Sequence, residues 1–218
     1  MNDRHKSNRK FYLNTIMQYI MTFAQYVFPM ITFPYLTRIL EPDLYGIITH
    51  MTSIVVYFQI FVDFGFNLSA TKEIAEHQAD NKYIGKVLGT VIQSKIILVV
   101  ISLIVYTFLI KSIPILRDNI LLAYLYIGTV VLSIWLPDFM FRGIEKMEII
   151  TIRFLASKTI TTLLTFVLVR SKDDILWIPL LNIIGFLVAI VLTWYHIKRI
   201  LKINISYSLI YIVTKNIK

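Results

Sequence analysis

Residues 11–36 hold no charged side chain in 26 positions. At ~1.5 Å per residue a helix of that length covers the ~30 Å hydrocarbon core of a bilayer, so the pattern predicts a membrane span. Its polar residues are not scattered. Asn14, Gln18, Thr22, Gln25 and Thr32 step by four, four, three and seven, with Pro29 on the same line. One polar stripe on a helical period is too costly to face lipid, so it predicts a helix that lines neighbouring helices or a water-filled cavity.

Five further apolar runs follow at 47–66, 87–110, 120–141, 149–169 and 175–195, each long enough to span. Together they predict an all-α polytopic membrane protein of six transmembrane helices. Residues 37–46, with Arg38, Glu41, Pro42, Asp43 and Gly46, read as a charged turn closing a helical hairpin. The longer connection 70–86 mixes charges with Ile74, Ala75 and Ile84, which fits a short amphipathic helix on the inner surface. After Tyr195 the chain turns basic, and the apolar segment 207–213 is too short to cross a bilayer. The expected organisation is a basic cytoplasmic N-terminus at 1–10, a six-helix lobe at 11–196, and at 197–218 a basic tail with the truncated start of a seventh span.

Composition agrees: 57% hydrophobic residues, 16% charged residues and a mean hydropathy of +0.69 belong to a membrane protein. The net charge of +9 is that of a nucleic-acid binder only in its total. Of the 22 Lys and Arg residues, sixteen fall on one side of the predicted spans, five on the other, and Lys95 inside a span. That asymmetry places both termini in the cytoplasm and makes the basic residues topology signals rather than a nucleic-acid surface. There is no cysteine, which excludes disulfides, thiolate metal sites and cysteine nucleophiles.

A few positions bear on chemistry. In the second span Thr49, Thr52, Gln59 and Asp63 share a face, and Asp63 lies ~5 Å inside the run's end. It reads either as a gate or protonatable coupling residue, or as a structural carboxylate capping or pairing at the outer interface of the membrane. Lys95 reads either as an ammonium facing an aqueous vestibule and attracting phosphate, or as a side chain reaching back to lipid headgroups. In the fifth span Thr151, Lys158, Thr162 and Thr165 share a face, suited to helix packing or to ligand contact. Arg153 and Lys158 enter that run from the inner side and with Lys95 form a candidate basic vestibule for an anionic headgroup. Asn14, Gln18 and Gln25 are the candidate lining. Tyrosines and tryptophans near span ends read as interfacial anchors. No paired acid and base, nucleophile elbow, phosphate loop or metal-ligand spacing is visible, so no catalytic residue, metal or cofactor is assigned and no enzyme is expected.

Three stretches carry a resemblance: FPYLTRILEPDLYGIIT (33–49), FVDFGFNLSATKEIA (61–75) and PDFMFRGIEKM (137–147). In order and spacing they resemble the polysaccharide flippases of the MOP exporter superfamily, the Wzx-type transporters of O-antigen and capsule repeat units. Three positions depart from the family's usual pattern. Glu41 stands where glycine is common, Phe139 where tryptophan is usual and Arg142 where glutamine is usual. The likeness is to the N-terminal lobe alone, since family members have two six-helix lobes.

The resemblance implies transport of an undecaprenyl-diphosphate-linked oligosaccharide across the inner membrane by alternating access, the diphosphate drawn to basic residues and the lipid tail left in the bilayer. Implied partners are that lipid-linked sugar, membrane lipids, and a second six-helix lobe or a homodimer. Two rivals accompany it: a truncated, transport-inactive fragment, and a multidrug exporter, for which the interior is too basic. A glycan polymerase or ligase wants a large outer loop, and every outward connection here is short.

Overall fold

The computed structural model describes residues 2–205, with side chains from Lys10 onward, and is all-helical apart from short turns. Its elements are α1 (Asn2–Asp63), α2 (Phe66–Glu76), α3 (Asn81–Ser112), α4 (Pro114–Asp118), α5 (Ile120–Ser133), α6 (Asp138–Gly143), α7 (Met147–Leu168), a 3-10 turn (Lys172–Leu176), α8 (Trp177–Tyr195) and a π turn (His196–Leu201). Among the described residues five helical elements are long and apolar enough to cross a membrane, the first covering both of the first two apolar runs. The expected start of a seventh span lies outside the described residues.

The predicted turn at 37–46 is tighter than its composition suggests. Helical geometry continues on both sides of a single residue, Glu41, at φ 60° and ψ 161°. Pro42 follows; proline bars its predecessor from helical geometry and opens the second arm without needing an N–H partner. The rings of Phe33 and Tyr45 lie 5.3 Å apart. Twelve residues of straight helix would separate them by ~18 Å, so the chain reverses here and α1 is a hairpin of arms 2–40 and 42–63.

The first arm runs beside α7 in parallel at a nearly constant offset. Asn14 Oδ1 accepts from Met147 N at 3.1 Å, Thr151 Oγ1 donates to Met17 O at 3.0 Å, and Tyr35 Oη donates to Val169 O at 2.8 Å. Their sequence separations are 133, 134 and 134, which fixes register over the length of the helix. The second arm packs antiparallel on α3, with Phe58 against Tyr106 at 5.3 Å. Buried Tyr106 donates to Ala123 O at 3.0 Å and so ties α3 to α5.

Of the connection 70–86, expected to hold a short amphipathic helix, residues 70–76 lie in α2 and 81–86 in the first turns of α3. Helix α2 buries Ala70 and Ile74 against α6, where a Cβ on Gly143 would come within 2.7 Å of Ile74. Thr71 and Gln78 donate to the carbonyls of Phe139 and Gly143 at 3.2 and 2.9 Å. Phe139 is fully buried in this joint. Past α8 the chain crosses back over the start of α3, where Gly85 leaves room for Asn204: a Cβ there would sit 2.0 Å from the Asn204 carbonyl oxygen.

Candidate functional site

The candidate site lies between α7 and α8. These helices approach closely at Gly185, where a Cβ would be 2.7 Å from Thr161 Cγ2. Beside that contact opens a cleft of about 170 Å³, lined among others by Arg153, Ser157, Lys158 and Thr161 from α7 and by Asn182 from α8. A second recess of about 280 Å³ lies toward the start of α7 and the end of α8 and is lined by Lys146, Glu148, Arg153 and His196 among apolar residues. Arg153 borders both.

Arg153 is held in place. Its guanidinium donates to Asp138 Oδ1 at 2.6 Å and to Thr193 Oγ1 at 2.9 Å, and the residue is buried. Thr193 in turn donates to Ala189 O at 2.7 Å. A planar fork bridging a carboxylate and a hydroxyl on two elements is a task that suits arginine better than lysine. Lys158 is in a different situation: among the described residues no hydrogen-bond or ion-pair partner is found for its ammonium, which borders the cleft. An ammonium held away from bulk water without a counter-charge favours an anionic ligand.

Lys95 is not part of this cleft. It is buried on α3 and donates to Asp63 Oδ1 at 2.6 Å, while Gln59 Nε2 donates to the other carboxylate oxygen at 3.1 Å. Asp63 and Lys95, read separately in sequence, are thus one ion pair between the second arm and α3. Of the three cations expected to form a basic vestibule, the structure brings Arg153 and Lys158 together and places Lys95 elsewhere.

The amide stripe divides similarly. Asn14 caps the start of α7 through Met147 N, Gln18 lies within 3.5 Å of Thr22 on its own helix, and Gln25 is exposed. The hydroxyls of α7 mostly bond backbone, Thr151 to Met17 and Met147, Thr161 to Lys158, and Thr165 to Thr161. Asn182 had a legible signal, being the lone polar side chain between Trp177 and Leu192. Lys146 and His196 stood among topology signals and span-end residues, with nothing local to mark a recess.

The described residues thus form an all-helical membrane domain with a cation-lined cleft between two of its helices. The chain belongs to the family described as "Polysaccharide biosynthesis protein", which it matches over residues 11–218. It is 33% identical over 162 residues to a protein of Escherichia coli (strain K12) named "Putative O-antigen transporter", an alignment covering 74% of this chain and 39% of that one. A Shigella dysenteriae protein of the same name is 28% identical over 200 residues, 85% of this chain and 46% of that one. The chain therefore spans less than half the length of these relatives. No solved structure matches.

Proposed function

We propose that this chain is a lobe of a flippase that moves undecaprenyl-diphosphate-linked oligosaccharide repeat units across the inner membrane for surface polysaccharide synthesis. The observation that carries the reading is the Lys158 ammonium, without a partner among the described residues, beside Arg153 in a largely apolar cleft that also holds Ser157, Thr161 and Asn182, in a family whose relatives are named for O-antigen transport. A diphosphate entering from the inner side meets Lys146 and His196 first, then Arg153, then Lys158.

Counting the two arms of α1 as separate spans, with α3, α5, α7 and α8, makes six, and the bias of basic residues sets both termini in the cytoplasm. In this scheme the lobe rocks in alternating access against a second half, for which the greater length of the relatives leaves room. Asp63, paired with Lys95, is the coupling or gating position of this scheme.

The test is binding and translocation of a polyprenyl diphosphate sugar by the purified protein in proteoliposomes. Lys158→Ala weakens binding about tenfold or more, the worth of a charged hydrogen bond, and Lys158→Arg restores most of it. Unchanged affinity and transport in Lys158→Ala would remove the site from this reading.

A further inference from the structure

The recess toward the start of α7 and the end of α8 has a lining of both charges. Lys146 and Glu148 border it two residues apart, yet among the described residues neither side chain has a hydrogen bond or an ion pair, with the other or with a third group. The neighbouring carboxylate, Glu145, is taken by Lys10 at 3.0 Å. Arg153 commits two N–H groups to Asp138 and Thr193, and a guanidinium carries five. His196 donates from Nδ1 to the Leu192 carbonyl at 3.0 Å, which leaves Nε2 as an acceptor in the neutral ring. Lys146 and Arg153 thus offer donors to an anion, and Glu148 and His196 offer acceptors to a cation.

The rest of the recess is apolar and open to hydrocarbon. Ile149, Ile152, Leu192 and Ile200 complete its walls, and Ile152 and Ile200 are exposed. Ile152 heads a stripe of exposed Ile160, Leu163 and Val167 on one side of α7, where Thr159 is the single polar exposed residue between 152 and 167. On α8, Leu187, Val191 and Tyr195 are exposed at steps of four. Apolar stripes of this length on membrane helices face acyl chains. The charged part of the recess lies at helix ends, directly beside Trp194 and Tyr195, and such aromatic residues mark the headgroup level of a bilayer.

Charge at headgroup level over an apolar wall selects a membrane lipid, and the mixture of signs selects which. A free anion leaves the apolar wall uncovered. An anionic phospholipid brings a net negative charge beside Glu148 and nothing to pair with that carboxylate. We infer that the recess seats a zwitterionic phospholipid with a primary amine, phosphatidylethanolamine: its phosphate on Lys146 and Arg153, its ammonium on Glu148 and His196, and an acyl chain along Ile152 toward Ile160 and Leu163. A choline headgroup carries the same charges but has no N–H to donate. The inference uses only the lining of the recess and the exposed side chains beside it, and does not rest on the transport reading. A diphosphate-linked lipid on the route proposed above displaces this resident lipid.

The test uses the whole protein, purified in detergent and titrated with phosphatidylethanolamine, phosphatidylcholine and phosphatidylglycerol of identical acyl chains, with bound lipid counted by native mass spectrometry. Phosphatidylethanolamine binds about tenfold more tightly than either of the others, the worth of a charged hydrogen bond. Glu148→Gln abolishes the preference over phosphatidylcholine, and Lys146→Gln weakens both zwitterionic lipids about three- to tenfold. Equal affinity of the native protein for the three lipids, a preference for phosphatidylglycerol, or a preference for phosphatidylethanolamine that survives Glu148→Gln overturns the inference. A second measurement needs no variant: phosphatidylethanolamine with a diazirine on its acyl chain labels residues 149–163 of α7 or 192–200 of the native protein. Labelling confined to other helices overturns the seat.

Discussion

Asp63 and Lys95 meet at 2.6 Å between the second arm of α1 and α3, the lysine almost wholly buried and the carboxylate about 29% exposed. Removing one partner strands the other. Asp63→Asn leaves a buried ammonium unpaired and costs about 3 kcal/mol, read as a fall in thermal stability in detergent. The double variant Asp63→Asn, Lys95→Met recovers most of that loss, since the desolvation cost of both charges goes with them. A double variant no more stable than Asp63→Asn would contradict the pairing.

Lys158 responds in the opposite sense. It has no partner to strand among the described residues, so Lys158→Met removes a poorly compensated charge and raises the melting temperature, by the equivalent of about 1 kcal/mol, while polyprenyl diphosphate binding falls. Two lysines within spans thus shift stability in opposite directions on losing their charge. Thermal melts of Lys158→Met and Lys95→Met side by side check this.

Glu41 sits at φ 60° and ψ 161°, a region in which side-chain-bearing residues are strained and glycine is not. Glycine is also the residue common at this position in the flippases the sequence resembles. Glu41→Gly relieves the strain and loses the exposed ion pair with Lys172, which is worth little. The expected net effect is a gain of about 1 kcal/mol. A melting temperature at or below that of the native protein would count against the backbone geometry at the hairpin.

Glycines 85 and 46 offer a matched contrast. Gly85→Ala drives a Cβ into the Asn204 carbonyl, a backbone atom that gives way only if the crossing segment moves, and destabilises by about 1 to 3 kcal/mol. Gly46 lies inside the second arm with nothing within 4 Å of a Cβ, and Gly46→Ala stabilises by up to about 1 kcal/mol through helix propensity. Chemical or thermal denaturation of the two variants settles the sign of each.

The long helices were legible because span length and the absence of charge are local properties, and the hairpin because Pro42 and its neighbours break a helix in one place. The stripe 14, 18, 22, 25 had the right period, but period alone does not tell a capping amide from a lining one. Asn14 turned out to serve α7, a partner 133 residues away. Likewise Asp63 with Lys95, and Arg153 with Asp138, are pairs fixed by how helices pack, which no spacing along the chain records. Trp135 and Trp194 do pair near the span ends, with indole N–H to carbonyl at 3.1 Å.

Arg153 is the residue common to the linings of both recesses between α7 and α8. It is latched on one side by Asp138 and on the other by Thr193. Whatever enters either recess therefore meets the same arginine, two of whose N–H groups are already committed to the protein.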